Sequence, residues 1–265
     1  MRNVFSACRT VRPDVTLVRA ELDDFAFPVH SHDHLVVGLA TAGEHTSRYG
    51  LRRYDIRPGD VLLVNAGEVH DGRPSGRRGR GHSMLEISVG AFSELSASAG
   101  ATTCPEFQRA VNRQPAITSA LSAWLEALVA DEPERERERA AEFFGLALAG
   151  TVRVVASSRV DDELARRAKA RMLGESPGAD AVGDLARDMG ASRFQLIRAY
   201  KRAFGLTPED FRRQLRIERA RRLLPGRQGL ADIAATAGFS DQSHMTREFR
   251  RLIGVTPGGY RRALR

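Results

Sequence analysis

Three histidines recur at every second position near the start of the chain, in the segment PVHSHDHLVV at residues 28–37. Because alternate side chains of a β-strand point to one face, a strand here lets His30, His32 and His34 converge on one point. Imidazole nitrogens bind zinc and iron, and they also hydrogen-bond to organic ligands. The spacing alone therefore leaves three interpretations open: a metal site, a pocket for a small organic molecule, or solvated residues at a strand end.

The segment around these histidines has the pattern of β-strands up to about residue 90. Short runs rich in Val, Leu and Ile, such as HLVVGLATAG, DVLLVNAG and HSMLEISVG, are bounded by turn signals such as RPGD at residues 57–60. Several short strands at this spacing predict an antiparallel sandwich or small barrel. The segment GRPSGRRGRGH at residues 72–82 is interpreted as an exposed loop.

From residue 105 to about 157 the periodicity becomes helical. Apolar side chains recur along one predicted helical face: Ile117, Leu121, Trp124, Leu125 and Leu128. Pro133 suits the first turn of a second helix, which is predicted to run to about residue 156 and whose ERERER run is interpreted as solvated. This helical segment is a candidate dimerisation surface, with packing inside the chain as the alternative.

The charge of the chain is unevenly divided. The net charge is +8, and from Arg159 to the end there are 23 Lys and Arg against 13 Asp and Glu. The positive surplus therefore lies in the last two fifths of the chain, which favours a polyanion as the partner of that part. The start of the chain lacks the apolar core of a secretory signal, and no run of about 18 apolar residues occurs. Cys8 and Cys104 are too few for a disulfide framework, so we expect a cytoplasmic protein that does not bind a membrane.

The C-terminal part contains an internal repeat. LARDMGASRFQLIRAYKRAFGLTPEDFRR begins at Leu185, and IAATAGFSDQSHMTREFRRLIGVTPGGYRR begins at Ile233. In each copy a short helix, a glycine turn at Gly190 or Gly238, and a second helix capped by a serine predict a helix-turn-helix unit. A glycine is expected to end each second helix, and the Thr-Pro pair after it suits the start of the next helix.

The second helix of such a unit enters the major groove of DNA, where its early exposed side chains reach base edges. Arginine forks onto guanine, glutamine suits adenine, and Phe or Ile packs against the thymine methyl group, while further basic residues meet phosphates. A continuous helical pattern between the copies predicts that both units reach successive major grooves, roughly 34 Å apart. The residues that we expect to contact DNA are Ser192, Arg193, Phe194, Gln195, Ile197, Arg198 and Lys201 in the first copy and Gln242, Ser243, Thr246, Arg247 and Arg251 in the second.

These C-terminal motifs resemble the AraC/XylS family of bacterial transcription regulators over about residues 162–263. The resemblance is carried by LARDMGASRFQLIRAYKRAFGLTPEDF, RIERARRLL and LADIAATAGFSDQSHMTREFRRLIGVTPGGYRR. It implies a sequence-specific binder of double-stranded promoter DNA that is associated with the nucleoid, commonly an activator that contacts RNA polymerase. The segments FPVHSHDHLVVGLATAGEH and RPGDVLLVNAGEVHDGRP resemble the family's cupin-like effector domain, which implies a small β-barrel that binds a small-molecule effector.

Together these patterns predict a two-domain α+β protein. Residues 1–104 are expected to form a cupin-like antiparallel β-barrel that binds the effector. Residues 105–159 are expected to form a helical linker that is the candidate dimerisation surface of a homodimer. Residues 160–265 are expected to form an all-α DNA-binding domain with two helix-turn-helix units.

The resemblance to cupins also implies a metal site. Metal-binding cupins use two histidines of an H-x-H motif, a glutamate shortly afterwards and a third histidine from a later strand. His30, His32 and His70 match the three histidines, whereas the glutamate position falls on Val36 or Val37. These three histidines are therefore candidate ligands for zinc or iron, and His34 is a geometric alternative to the missing glutamate.

Other functions remain open beside the metal site. The first is a pocket for an organic effector, with Arg48 and Arg53 available to an anionic one. The polar groups of that pocket are His30, His32, Glu68 and His70. A metal-dependent enzyme fused to a DNA-binding domain and an architectural DNA binder are further alternatives. The sequence has no paired carboxylates, nucleophile elbow or Gly-rich phosphate loop, which favours a regulator that is not an enzyme.

Overall fold

The computed structural model describes residues 4–9, 14–50, 52–75, 79–100, 106–149, 160–174 and 182–264. Within these ranges an N-terminal part made of strands and three helices precedes a C-terminal part made of helices alone. This order confirms the predicted α+β organisation with an all-α C-terminal domain. The residues at the two predicted domain boundaries, 101–105 and 150–159, and with them Cys104, lie outside the described ranges.

The strands of the N-terminal part are β1 Val4–Arg9, β2 Val15–Leu22, β3 Phe27–His30, β4 Leu35–Ala42, β5 His45–Tyr49, β6 Arg52–Ile56, β7 Val61–Val64, β8 His70–Pro74, β9 Arg80–Ile87 and β10 Val111–Asn112. They form two antiparallel sheets, with strand orders β1-β2-β9-β4-β7-β10 and β3-β8-β5-β6. This cupin-like β domain agrees with the predicted antiparallel architecture.

Strand β9 shows how the larger sheet separates two environments. Leu85 and Ile87 point to one side and are fully buried in an apolar core. The residues between and before them, Arg80, His82, Met84 and Glu86, point to the other side and line a cavity. The two-residue period of the strand therefore places an apolar core on one face and polar groups on the other.

Three helices cover the apolar face of this sheet: α1 Val89–Ser98, α2 Pro115–Val129 and α3 Pro133–Leu148. Trp124 of α2 and Phe143 and Phe144 of α3 belong to the same buried cluster as Leu85 and Ile87. The predicted apolar face of α2 is thus buried inside the chain, because it is the surface that closes the core of the β domain.

Helix α3 corrects two predictions. It ends at Leu148 rather than near residue 156, because Ala149 leaves the helical conformation (φ −58°, ψ 125°). Its ERERER run is also not solvated throughout, since Glu136 is buried. The Trp124 indole donates a hydrogen bond from Nε1 to Oε1 of Glu136 over 2.9 Å. Charge alternation concealed this inward-facing carboxylate.

The C-terminal helices are α4 Val160–Gly174, α5 Val182–Asp188, α6 Arg193–Phe204, α7 Pro208–Leu223, α8 Leu230–Thr236, α9 Gln242–Ile253 and α10 Pro257–Ala263. Helices α5 and α6 form one helix-turn-helix unit, α8 and α9 form the other, and α7 connects them. Gly190 and Gly238 make the two turns with positive φ angles of 67° and 85°, a conformation that glycine adopts without steric cost. The predicted repeat is therefore a repeat of structure.

The helix caps follow the predicted chemistry with one exception. Ser192 forms a capping box with Gln195 at the start of α6. Gly205 and Gly254 end α6 and α9 in the left-handed region. In the second unit, however, Asp241 rather than a serine caps α9, and its carboxylate accepts from the His244 backbone N–H over 2.7 Å.

The segment at residues 72–82 is not the exposed loop that its composition suggests. Strand β8 continues to Pro74 and β9 begins at Arg80, and both Gly72 and Arg80 are buried. Of the chain between these strands, residues 76–78 lie outside the described ranges. In the part of the chain that the structure describes, every helix is too short or too polar to cross a membrane.

Candidate functional site

A cavity of about 120 Å³ lies between the two sheets and is bordered by helices of the C-terminal domain. Its β-domain wall consists of side chains at alternate strand positions, including those of β9 named above. The C-terminal domain contributes Glu218 and Arg221 from α7 and Leu252 and Ile253 from α9. We call the end bordered by Glu86, Glu218 and Arg221 the mouth, and the end at Arg80 the inner end. The site is therefore shared between the two domains.

His30, His32 and His70 come together in this cavity, as the sequence predicted. The ring centroids of His30 and His70 lie 4.1 Å apart, those of His32 and His70 4.9 Å, and those of His30 and His32 6.1 Å. His70 reaches the pair through the register of β3 with β8, which places it opposite His30.

Backbone carbonyls fix the orientation of all three rings. The Nδ1–H groups of His30, His32 and His70 donate to Pro28 O (2.8 Å), His34 O (2.7 Å) and Glu68 O (2.9 Å), respectively. A carbonyl only accepts, so each neutral ring carries its proton on Nδ1 and keeps a lone pair on Nε2. Burial lowers the pKa of each of the three histidines, which favours the neutral form.

His34 belongs to a different environment, although its ring stacks on that of His32 at 4.1 Å. Both of its ring nitrogens lie 3.3 Å from Nη2 of Arg221. Among the described residues, His34, Asp33 and Glu218 form the group whose potential ligand atoms all lie within 4.8 Å of one another. The Arg221 guanidinium lies 3.0 Å from Glu218, so this group already surrounds a cation that belongs to the protein.

Arg221 also joins the two domains at the mouth. Its guanidinium hydrogen-bonds to the Glu86 carboxylate of β9 and pairs with Glu218 on its own helix. The side chains of Arg221, Glu86 and Glu218 are 12%, 17% and 10% exposed, so solvent screens these charges only weakly. We call Arg221, Glu86, Glu218 and His34 the mouth cluster.

Other contacts hold the domains together around the mouth cluster. Gln214 of α7 accepts from the Ser31 backbone N–H over 3.0 Å and donates to Val29 O over 3.2 Å. Lys169 of α4 donates to Gly67 O over 3.2 Å. Helices α4 and α7 of the C-terminal domain thus both contact the β domain.

Three residues predicted near an effector lie elsewhere. The Glu68 carboxylate accepts hydrogen bonds from the backbone and side-chain nitrogens of Asn65 within a turn. Among the described residues, Glu68 is not one of those that line the cavity. Arg48 pairs with Asp71 over 3.9 Å. Arg53 lies exposed on β6. These positions leave the histidines as the predicted residues that line the cavity.

The sequence reasoning missed the polar groups at the inner end, which are Arg80, His82 and His45. Arg80 and His82 fell inside the segment interpreted as a loop. The detectable signal was the alternation of polar and apolar residues in RGHSMLEI, which is typical of a strand with two different faces. The Gly and Arg content of the preceding residues concealed it.

The predicted DNA-contact residues lie on the outer side of the two second helices. Phe194 on α6 is 84% exposed, and its neighbours Arg193 and Arg198 are exposed as well. Gln242, Ser243 and Arg247 are exposed on α9. Ile197 and Thr246 are half-buried, and the side chains of Ser192 and Gln195 close the capping box. An exposed phenyl ring beside arginines is typical of a surface that contacts a partner.

Comparison with known proteins agrees with this division. Residues 12–147 match the AraC-like ligand binding domain, and residues 185–263 match a helix-turn-helix domain. An uncharacterized HTH-type transcriptional regulator, YbfI from Bacillus subtilis, is 31% identical over 230 residues, which cover 83% of this chain and 81% of YbfI.

Solved structures of ToxT from Vibrio cholerae share the fold. The chain matches one from strain O395 with a TM-score of 0.62 and 13% identity, over 96% of this chain and 99% of that one. It matches the ToxT structure described as bound to unsaturated fatty acid with a TM-score of 0.60 and 14% identity, over 100% and 98% of the two chains. At these identities the likeness concerns the fold alone. With the ligand binding domain matched over half of the chain and the helix-turn-helix domain after it, the chain belongs to the AraC family of transcriptional regulators, which are effector-modulated DNA-binding proteins and not enzymes.

Proposed function

We propose that the chain reads promoter DNA by placing α6 and α9 in two successive major grooves. The observation that carries this proposal is the pair of capped second helices with exposed, DNA-compatible side chains, joined by the single helix α7. Base edges are read by Arg193, Phe194, Ile197 and Arg198 on α6 and by Gln242, Ser243, Thr246 and Arg247 on α9. Ser192, Lys201 and Arg251 contact phosphates, and Gln195 keeps the capping box closed.

The test begins with selection of bound sequences from random double-stranded DNA by the full chain. On the selected site, Arg198→Ala and Arg247→Ala should each cost about 1–3 kcal/mol of binding free energy and relax specificity at one base position. Arg137→Ala, on the exposed side of α3, is the matched control and should leave binding unchanged. Unchanged binding by both recognition-helix variants contradicts the proposed helix placement.

The effector acts on this DNA reader through the shared cavity. Leu252 and Ile253 are at the C-terminal end of α9, so the same helix lines the cavity and carries the proposed base contacts of the second unit. Occupation of the cavity changes how the C-terminal domain rests on the β domain, with His30, His32 and His70 as polar contacts near the mouth. Since a ligand shifts only an equilibrium whose two states it binds differently, this two-domain wall is the physical basis for effector control.

Further partners follow from the family and complete the proposal. The chain acts in the cytoplasm at the nucleoid as an activator that contacts RNA polymerase, and it does so as a homodimer. The apolar faces of α2 and α3 are buried within the chain, so the second copy would contact the outer surface of these helices, where Val129 and Leu146 are exposed. Sedimentation equilibrium with Val129→Glu, compared with wild type, tests this contact: a wild-type monomer contradicts it.

A second candidate is metal sensing by His30, His32 and His70. The observation that favours it is that all three Nδ1–H groups donate to backbone carbonyls, which is the arrangement that orients metal-bound histidines and leaves Nε2 as the ligand atom. Zinc or iron(II) bound there would have open positions for a further ligand. Metal content measured on protein purified without a histidine tag, before and after incubation with zinc, tests the idea. Failure to retain or rebind one metal per chain contradicts it.

A further inference from the structure

The inner end of the cavity contains three buried polar side chains with unsatisfied atoms. Nη1 of Arg80, Nδ1 of His45 and Nδ1 of His82 are buried and have no hydrogen-bond partner among the described residues. The residues are only 3%, 3% and 6% exposed, and all three line the cavity. The His45 and His82 rings contact each other edge to face at 4.7 Å. A buried polar group without a partner costs free energy, so a cluster of three indicates a place for a ligand.

Among the described residues, no carboxylate pairs with the charge of Arg80. Its Nη2 group donates to Phe25 O over 2.7 Å and to Gly72 O over 3.4 Å, and its guanidinium lies 5.7 Å from the centre of the Phe27 ring. These contacts solvate the cation without neutralising it. Burial lowers its pKa to about 10, so Arg80 remains charged at neutral pH.

The acidic residues that line the cavity are committed to other cations. Asp71 pairs with Arg48 over 3.9 Å and with Arg73 over 3.8 Å, and Glu86 and Glu218 pair with Arg221 in the mouth cluster. Because an isolated buried charge is costly, the inner end is electrostatically complementary to an anionic group. A carboxylate there would accept from Nη1 of Arg80 and from the Nδ1–H of a neutral histidine.

The cavity changes character between the inner end and the mouth. Leu62 and Met84 line the stretch between His82 and Glu86, and the sheet register places Val36 and Val64 level with Glu86. His82 and Glu86 are four residues, roughly 13 Å, apart on β9. The cavity volume of about 120 Å³ is close to that of an engineered cavity of about 150 Å³ that binds benzene. The space therefore suits an apolar body of ring size and is too small to enclose a long acyl chain.

We infer that the cavity binds a small monocarboxylate, with its carboxylate on Arg80, His45 and His82 and a compact apolar body against Leu62 and Met84. This inference rests on the proposed control of DNA binding by an effector in the same cavity, and it names the chemical class of that effector. The anionic group lies at the inner end, away from the histidines that the sequence singled out.

Isothermal titration calorimetry on the full chain tests the inference with probes of matched shape. Benzoate, hexanoate and 3-methylbutanoate represent the class, benzamide and hexanamide are their uncharged counterparts, and hexadecanoate and inorganic phosphate test size and charge alone. At least one small carboxylate should bind, and its amide should bind at least tenfold more weakly. Arg80→Gln should weaken the carboxylate by tenfold to a hundredfold, since a hydrogen bond to a charged group is lost.

Two further variants separate binding from folding. Val36→Phe fills the apolar stretch without touching Arg80 and should abolish binding, whereas Arg53→Gln makes the control substitution at an exposed arginine of β6 and should have no effect. The inference is overturned if no small carboxylate binds, or if an acid and its amide bind with equal affinity. It is also overturned if phosphate or hexadecanoate binds as tightly as the small carboxylates. The selected DNA site is measured on the same preparations. If the wild type binds the selected DNA but no small carboxylate, only the ligand class is refuted. If the wild type binds no DNA specifically, the proposed function is refuted.

Discussion

Glu86→Gln should loosen the contact between the two domains without unfolding either one. The substitution keeps the size of the side chain and removes the charge that faces Arg221 across the domain boundary, while Glu218 remains on Arg221 at 3.0 Å. A hydrogen bond to a charged group contributes about 1.5–3 kcal/mol. Because the Glu86 and Arg221 side chains are only 17% and 12% exposed, we take a value near the middle, about 2 kcal/mol. That change lowers the docking equilibrium constant by roughly thirtyfold.

The Ser31 amide reports directly on this docking. Its N–H donates to the side chain of Gln214 in the other domain over 3.0 Å, so its hydrogen exchange requires the domains to separate locally. We expect Glu86→Gln to accelerate exchange at Ser31 by roughly thirtyfold, while the amide of Leu63, which donates to Ala110 O within the β domain over 2.9 Å, keeps its rate. Glu134→Gln, on the exposed start of α3, is the control. An unchanged Ser31 rate in Glu86→Gln refutes the role of the mouth cluster in docking.

Three further outcomes follow from other parts of the structure. Burial lowers the pKa of His82 to about 3 from the usual value near 6.5. As the pH falls from about 6.5 towards 3, this histidine is protonated in the unfolded chain but stays neutral in the folded chain. The free energy of unfolding therefore declines by up to about 1.4 kcal/mol per pH unit for this group. His82→Phe should remove one such slope from urea unfolding measured between pH 6.5 and 5, and an unaltered slope argues against the buried neutral ring. Gly254→Ala should cost about 1–2 kcal/mol of left-handed strain and also accelerate Ser31 exchange, because the new Cβ meets the Phe25 ring at 3.1 Å. Gly190→Ala, with open space around it, should show the strain without the exchange effect, so equal exchange in both variants counts against the Phe25 contact. Phe194→Ala should leave the free energy of unfolding within about 0.5 kcal/mol yet weaken binding to the selected DNA site, and a large loss of stability instead places the ring in a core.

The helix-turn-helix repeat was predictable because its determinants are local. Gly190, Gly205 and the Ser192 capping box act within a few residues of their own position, and the second copy repeats the same spacing. The one departure, capping of α9 by Asp241, concerns a turn lengthened by one residue, where another short polar side chain takes over the cap.

The cavity was predictable only in part because it depends on pairing between distant strands. The period of two placed His30 and His32 on one face, but the approach of His70 depends on the β3–β8 register. Arg80 was missed because a composition rich in Gly and Arg is typical of loops, and this composition outweighed the two-residue alternation of RGHSMLEI. Glu136 was missed for a related reason, since its inward position is set by Trp124 on another helix.

The contacts between the domains lie beyond any local pattern. Arg221 meets Glu86 across 135 positions of the chain, and Gln214 meets Ser31 across 183. Helix α7 was predicted only as a continuous helix between the two helix-turn-helix units, yet part of its surface lines the cavity. Sequence periodicity identifies the polar face of a helix. It does not identify which arginine on that face forms an ion pair with a buried carboxylate of the other domain.

Helix α9 gives the two functions of the chain a common physical element. Its first turn carries Gln242 and Ser243 toward the proposed DNA contact, and its last turn carries Leu252 and Ile253 to the cavity. These ends are about 16 Å apart along one rigid helix, so a shift of the last turn moves the first. Any coupling is reciprocal: if the effector changes DNA affinity by a given factor, DNA changes effector affinity by the same factor, typically 5- to 150-fold. A ligand in a cavity contained wholly in the β domain would not contact the DNA-binding helices. The presence of α9 in the cavity wall is therefore the structural reason to expect that ligand binding and DNA binding change each other's affinity.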